Sequence, residues 1–182
     1  MALQFITSYL EDVRPLFAMY KRLGEGAIAQ VADTDLTATL DPEMNSIALI
    51  VKHMAGNMRS RWRGFPEADG EKPDRHRDTE FEAPPATRAE LMKFWEEGWA
   101  YLFQALEPLA DADLPRATFI RGERHSVVQA INRQIAHYSY HVGQIVFLAK
   151  HLQSANWKSL SVPRGHSATF NADVAAGRKS QR

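Results

Sequence analysis

Apolar positions recur with a helical period in four stretches of this chain. The third is the plainest. Leu91, Phe94, Trp95, Trp99, Leu102, Phe103 and Leu106 form one stripe. Thr87 and Glu90 stand at capping-box spacing behind Pro84 and Pro85, and Pro108 closes the segment. The predicted helix spans roughly residues 88–107. The first stretch places Phe5, Ile6, Tyr9, Val13, Leu16, Phe17, Tyr20, Leu23 and Ala27 on one side, with Pro15 expected to kink it or divide it in two. The second starts behind Asp41, Pro42 and Asn45, turns Ile47, Val51, Met54, Met58 and Trp62 inward, and ends near Gly64.

The fourth is the longest uninterrupted pattern. It begins at Ser126, again at capping-box spacing to Gln129, and continues through Val128, Ile131, Ile135, Tyr138, Val142, Ile145, Ala149 and Leu152. Before it, the stretch from Thr118 to His125 is β-branched and aromatic on one side of Gly122, which predicts a short hairpin. Four amphipathic segments without strand alternation of comparable length imply an all-α protein, a four-helix bundle. A chain of 182 residues suits one domain over 1–182 with a single core. Two stretches are left over. Residues 57–82 are dense in Arg, Asp and Glu and read as a long functional loop after the second helix. From Asn156 the chain is rich in Ser, Gly and Pro, which reads as an irregular tail packing through Trp157 and Phe170 before it frays.

Charge and composition narrow the function. Lys and Arg number 22, as do Asp and Glu, so no long-range field favours nucleic acid or anionic membrane as a partner. Apolar runs such as Ile47 to Val51 are too short to span a bilayer, and no signal-peptide pattern opens the chain, so a cytoplasmic protein is expected. There is no cysteine. A metal site must then be built from His, Asp or Glu, and any reacting thiol must arrive with a substrate.

His137 and His141 lie four apart on the predicted fourth helix, where imidazoles on adjacent turns can grip one ion. With seven histidines in the chain this spacing alone is weak. Their position adds more: both fall on one edge of the apolar stripe near Tyr138, beside Gln134, and point toward a seam of the bundle. On the second helix His53 borders its own stripe, near Leu49, Ile50 and Asn57. Ordinary core histidines, hydrogen-bonded to backbone, Tyr or Gln, are the alternative, which explains one buried histidine more easily than three on converging seams. Tyr138 stands where a zinc peptidase of the H-E-x-x-H type needs Glu, which disfavours that class. Three neutral imidazoles would leave an ion an open position able to acidify water or bind a thiol.

The stretches H-M-A-G-N-M-R-S-R-W from His53 to Trp62 and H-Y-S-Y-H-V-G-Q-I from His137 to Ile145 resemble the DinB-like family of helical-bundle metalloproteins, and the resemblance covers nearly the whole chain. It implies that one histidine of the second helix and an H-x-x-x-H pair of the fourth bind zinc or nickel, here His53, His137 and His141. The stretches at Asp69 to Pro73, Arg77 to Phe81 and Trp157 to Gly165 resemble a branch with no assigned function. Members of the wider superfamily include transferases that use low-molecular-weight thiols such as bacillithiol and mycothiol, which implies a reaction class and a small-molecule substrate, not a particular one.

Three functions are therefore open. One is a metal-dependent thiol transferase. The second is a metal-dependent hydrolase with Glu71, Asp78 or Glu80 as base, although each reads more simply as a solvated loop charge paired with Arg75 or Arg77. The third is a non-catalytic bundle with a structural or sensory metal. Asn57 is placed to orient a ligand or water, and Arg61 or Arg164 to hold a substrate carboxylate. His76, His125, His151 and His166 fall in loops, at a helix start or on an outward face, and are not expected to be ligands. Apolar residues on the first helix would support a homodimer.

Overall fold

The computed structural model describes residues 7–180, so Phe5 and Ile6 of the first predicted stripe lie outside the described residues. The helices are α1 (Tyr9–Ile28), α2 (Ile47–Trp62), α3 (Arg88–Leu106), α4 (Val127–Gln153) and α5 (Ser167–Ala175). An antiparallel hairpin of β1 (Ala117–Ile120) and β2 (Glu123–Ser126) precedes α4, in register Thr118 to His125 and Phe119 to Arg124. The result is an all-α bundle of four long helices, with α2 packed mainly on α3 and α1 on α4. No described helix is long and apolar enough to cross a membrane.

Capping residues fix the helix starts. Ser8, Ser46, Thr87 and Ser126 each accept a hydrogen bond from the backbone N–H three residues on. At Ser126 the box is reciprocal, because Gln129 accepts from the Ser126 N–H at 2.8 Å. At Thr87 it is not: the Glu90 carboxylate reaches one residue further back, to the Ala86 N–H at 2.9 Å. Helix α1 runs undivided through Pro15, contrary to one of the two expected outcomes. Pro15 is exposed, so the carbonyl that loses its intrahelical partner faces water.

An aromatic cluster ties the helices together. Phe17 of α1 meets Trp62 of α2 and Trp99 of α3 at ring separations of 6.4 Å each, and Tyr138 of α4 lies 5.8 Å from Trp99. The predicted inward residues of α2 are buried, as are Ile131, Tyr138, Val142, Ile145 and Ala149 of α4. Ile135 and Leu152 are half-buried, and Val127 and Ala130 rather than Val128 face the core at the start of α4. Gly98 of α3 permits the closest approach of α2, since a Cβ there would lie 3.0 Å from Ala55 Cα and 3.1 Å from Met58 Sδ.

The C-terminal segment is more ordered than its composition suggests. Gln30 clasps the backbone of Lys158 on both sides, donating to its carbonyl at 3.1 Å and accepting from its N–H at 2.8 Å. Trp157 and Leu160 pack on the core, and the nine-residue α5 follows, with Phe170 half-buried. The large apolar residues left in solvent are not concentrated on α1. That helix exposes Met19, whereas α4 exposes Tyr140 at 61% and Phe147 at 62%.

Candidate metal centre

The segment between α2 and α3 folds back over α2 through a 3₁₀ turn at Arg77–Phe81. That turn carries Glu80 into a buried position against α2. Glycine at position 56 makes the approach possible: a Cβ there would stand 2.4 Å from Glu80 Oε1 and 2.7 Å from its Cδ.

His53 of α2 and His137 and His141 of α4 converge, with ligand atoms within 4.8 Å of one another. His137 Nε2 lies 3.3 Å from His53 Nε2 and 3.1 Å from His141 Nε2. For metal–nitrogen bonds of about 2.0–2.1 Å in a tetrahedral site, neighbouring ligand nitrogens stand about 3.3 Å apart. The cluster therefore has the spacing of three ligands to one ion.

The opposite ring nitrogens fix the tautomers. His53 Nδ1 donates to Glu80 Oε2 at 2.8 Å, and His141 Nδ1 donates to Gln144 Oε1 at 2.8 Å. Both residues thus present an Nε2 lone pair to the centre. Phe81 stacks on the His53 ring at 4.6 Å and limits its rotation. The Nδ1 of His137 is buried without a partner, as is Oε1 of Gln134 one turn before it. Lone pairs crowded together in this way fit a cation.

Electrostatics reinforce the neutral state. Burial, followed by the neighbouring His141 and His53, pushes His137 down to about 3. Burial also pushes His141 down to about 4, against the opposing hydrogen bond from Gln144. Both imidazoles keep their lone pairs at neutral pH, as ligands must. Burial works to raise the Glu80 carboxyl, but hydrogen bonds from His53 and Arg75 outweigh it and hold Glu80 below the usual carboxylate range. Arg75 grips Glu80 with two bonds, Nε to Oε1 at 2.8 Å and Nη2 to Oε2 at 2.9 Å.

Asn57, one turn beyond His53, is buried and accepts from the Tyr138 hydroxyl at 3.1 Å, which in turn accepts from Trp62 Nε1 at 2.9 Å. This chain runs from the aromatic core to Asn57, which lines the cavity beside His53 and His137. Arg61, a further turn along, is buried and donates to the Gly70 carbonyl and to Glu71 Oε2, the latter at 2.9 Å. Asn57 and Arg61 line a cavity with His53 and His137. Arg164 does not: it is exposed in the turn before α5. Of the other histidines, His76, His151 and His166 are exposed and His125 is half-buried on β2. None joins the cluster.

Among the three carboxylates considered as a base, only Asp78 is a solvated loop charge, with its side chain 97% exposed. Glu71 is shared by Arg61, Arg75 and Arg121. Glu80 is the partner of His53. No residue spacing announces that role, because the contact spans 27 positions and depends on the 3₁₀ turn. Gln144 was within reach of sequence reasoning, since i, i+3 on a helix puts it beside His141.

Residues 4–166 match the family described as "Protein of unknown function (DUF1572)". No curated protein matches the chain. Among solved structures, a DinB-like protein from Bacillus cereus ATCC 10987 is similar with a TM-score of 0.60 at 14% identity, over 78% of this chain and 91% of that one. A likeness at that identity establishes the shared DinB-like helical fold and carries no chemistry with it.

Proposed function

We propose that this chain, which belongs to the DUF1572 family, binds one divalent metal ion, zinc or nickel, through His53, His137 and His141. We further propose that it is a metal-dependent transferase acting with a low-molecular-weight thiol. The single observation that carries the metal reading is the convergence of the three Nε2 atoms, two of them with tautomers fixed by Glu80 and Gln144. The residues present fit such an ion in number, spacing and protonation.

When bound, the ion supplies Lewis acidity, which lowers the pKa of a thiol or water at an open position. The chain's own residues do the rest. Glu80 holds His53 in one tautomer and is itself aimed by Arg75. Asn57 keeps its remaining polar capacity toward the cavity, where it orients a bound water or substrate atom. Phe81 covers one face of the His53 ring and keeps bulk water from it. Arg61 is a weaker candidate for direct substrate contact, because Gly70 and Glu71 already engage it.

The thiol reading draws on the resemblance of the stretches His53 to Trp62 and His137 to Ile145 to the DinB-like family, and on the lack of any cysteine to compete for the ion. A hydrolase needs a free base at the mouth, and Glu71 and Glu80 are both committed to cations. A purely structural zinc normally has four protein ligands. The candidate cluster has three among the described residues.

Elemental analysis of untagged protein tests the site, alongside folded His53→Ala, His137→Ala and His141→Ala variants. The expected result is one ion per chain in the native protein and loss of it in each variant. Retention in the variants, or no ion after reconstitution with zinc and nickel, overturns the assignment. Thiols added to cobalt-substituted protein should then give a sulfur-to-metal charge-transfer band. An unchanged spectrum with several thiols would remove the transferase reading and leave the ion in place.

A further inference from the structure

The cavity beside the histidines has a volume of about 420 Å³, within the range of small-molecule sites. Besides His53 and His137, its wall carries five guanidinium groups, those of Arg61, Arg75, Arg77, Arg121 and Arg133, and no carboxylate. The chain as a whole is balanced at 22 basic and 22 acidic residues, so this is a local segregation of charge.

The five cations fall into two sets. Arg61 and Arg75 form an inner pair whose side chains are 7% and 4% exposed, held by Glu71 and Glu80. Arg77, Arg121 and Arg133 form an outer set that is poorly compensated. Arg121 shares Glu71 with the inner pair at 3.2 Å. Arg77 stands 3.8 Å from the solvated Asp78, a pair that water screens. Arg133 makes no hydrogen bond or ion pair with any described residue. Two buried polar atoms at the same wall, Nε of Arg61 and Oε1 of Gln134, also lack partners.

The backbone at Arg121 adds an independent observation. Arg121 has φ 58 and Gly122 φ 75, the left-handed pair of a two-residue hairpin turn between β1 and β2. Asn, Asp and Gly suit the first of these positions, and a long side chain there is conformationally disfavoured. Asp69 holds the turn by accepting from the N–H groups of Arg121 and Gly122, at 2.9 and 2.7 Å. An arginine is thus kept, against local preference, at a point where it lines the cavity.

We propose that this mouth is an anion subsite, in which Arg77, Arg121 and Arg133 recognise a carboxylate or phosphate group of a small organic substrate whose reactive end faces His53 and His137. The inference names the substrate class of the metal site proposed above and rests on that reading only for the reactive end. Carboxylate and phosphate share the chemistry that guanidinium reads, oxygens spaced to accept paired N–H donors. A concave site on a chain of zero net charge fits a small anion better than a nucleic-acid backbone.

Calorimetric titration tests this with inorganic phosphate and with malonate, malonamide serving as the neutral control. Wild type, Arg133→Gln and Arg121→Asn are each compared as metal-loaded and chelator-treated protein, with metal content measured in every sample. At least one anion is expected to bind wild type saturably in both states and malonamide not at all. Each substitution should weaken that binding about tenfold, the loss of a charge-assisted hydrogen bond, and leave metal content unchanged. Binding of phosphate alone or malonate alone supports the subsite and assigns its source. Arg121→Asn should melt no lower than wild type, so that its lost affinity is not lost folding.

No saturable binding by either anion overturns the inference, as does binding that both substitutions leave intact. Anion binding confined to loaded protein and indifferent to the arginines is coordination to the ion, and also overturns it. Because the chelator-treated arm reads the arginines alone, failure of the metal assignment is seen separately, as absence of the ion from wild type.

Discussion

Helix α2 is buried on two faces that meet opposite physical demands. One carries Ile47, Val51, Met54, Met58 and Trp62, none more than 3% exposed, into the apolar core. The other carries His53, Asn57 and Arg61, nearly as well buried at 4–6%, toward α4 and the segment that precedes α3. The apolar face is stabilised by removal of surface from water and asks only for volume and shape. The polar face loses hydration and must recover it bond by bond, from Glu80, Tyr138, Gly70 and Glu71. Burial alone does not distinguish them. On the polar face of α2 the buried side-chain atom left without a partner is Arg61 Nε, at the cavity wall, and Gln134 Oε1 and His137 Nδ1 face it from α4. Trp95 Nε1 and Trp99 Nε1 are also unpartnered in the aromatic core, so what marks the site is the gathering of such atoms around one cavity.

The sharpest way to break the comparison is Glu80→Gln. The amide preserves shape and removes the charge that Arg75 and His53 both use. Stripping one partner from a buried ion pair should destabilise the fold by about 3–5 kcal/mol in urea unfolding. Metal affinity should fall about 10–100-fold through the mis-oriented His53. Replacing both partners, Glu80→Leu with Arg75→Met, should restore much of the stability and none of the affinity. A single substitution that leaves both quantities unchanged would uncouple this network from the site.

On the other face, Met58→Ala should cost about 2–5 kcal/mol, because Met58 is 1% exposed and packs where Gly98 admits α2 against α3. Metal bound per folded molecule should stay constant. A drop in that ratio at temperatures where the variant is fully folded would mean that the two faces are mechanically one.

Between these lies Gly56→Ala. Alanine is favoured over glycine in a helix by about 1 kcal/mol. At this position, however, the new Cβ would meet Glu80 Oε1 at 2.4 Å. Glu80 must withdraw, so the net stability change should be about 1 kcal/mol or less while metal affinity declines. Equal metal affinity in Gly56→Ala and wild type would show that Glu80 need not touch His53.

These residues also mark how much was legible beforehand. Helix period located all four long helices, and the capping residues located their starts, because both signals are local. The three histidines were legible because each sits on the edge of a readable apolar stripe. Glu80 and Arg75 were not: their roles depend on a loop folding back 27 residues to His53, and a dense run of Arg, Asp and Glu looks the same whether solvated or buried. Gly56 lies within the stretch from His53 to Trp62, yet its role is to lack a side chain where a carboxylate passes. Arg121 and Arg133, far apart from Arg77 in sequence, come together only once the hairpin is placed against α4.

The smallest effect near neutrality is expected from pH, and it too separates the faces. His137 and His141 sit at about 3 and about 4 in the folded protein, against 6.5 when unfolded. Between those values the unfolded chain binds protons that the folded chain refuses, so their contribution to stability is fully present above pH 6.5 and is lost as pH falls toward 4 and then 3. Below that range both states are protonated and the dependence ends. Urea unfolding of chelator-treated protein should therefore show stability flat from pH 8 to 6.5 and declining more steeply below it in wild type than in a folded His137→Gln, His141→Gln variant. Identical profiles would mean that the imidazoles are hydrated rather than enclosed. In Met58→Ala, by contrast, the wild-type profile should be displaced downward without a change in slope, because an apolar face has no proton to exchange.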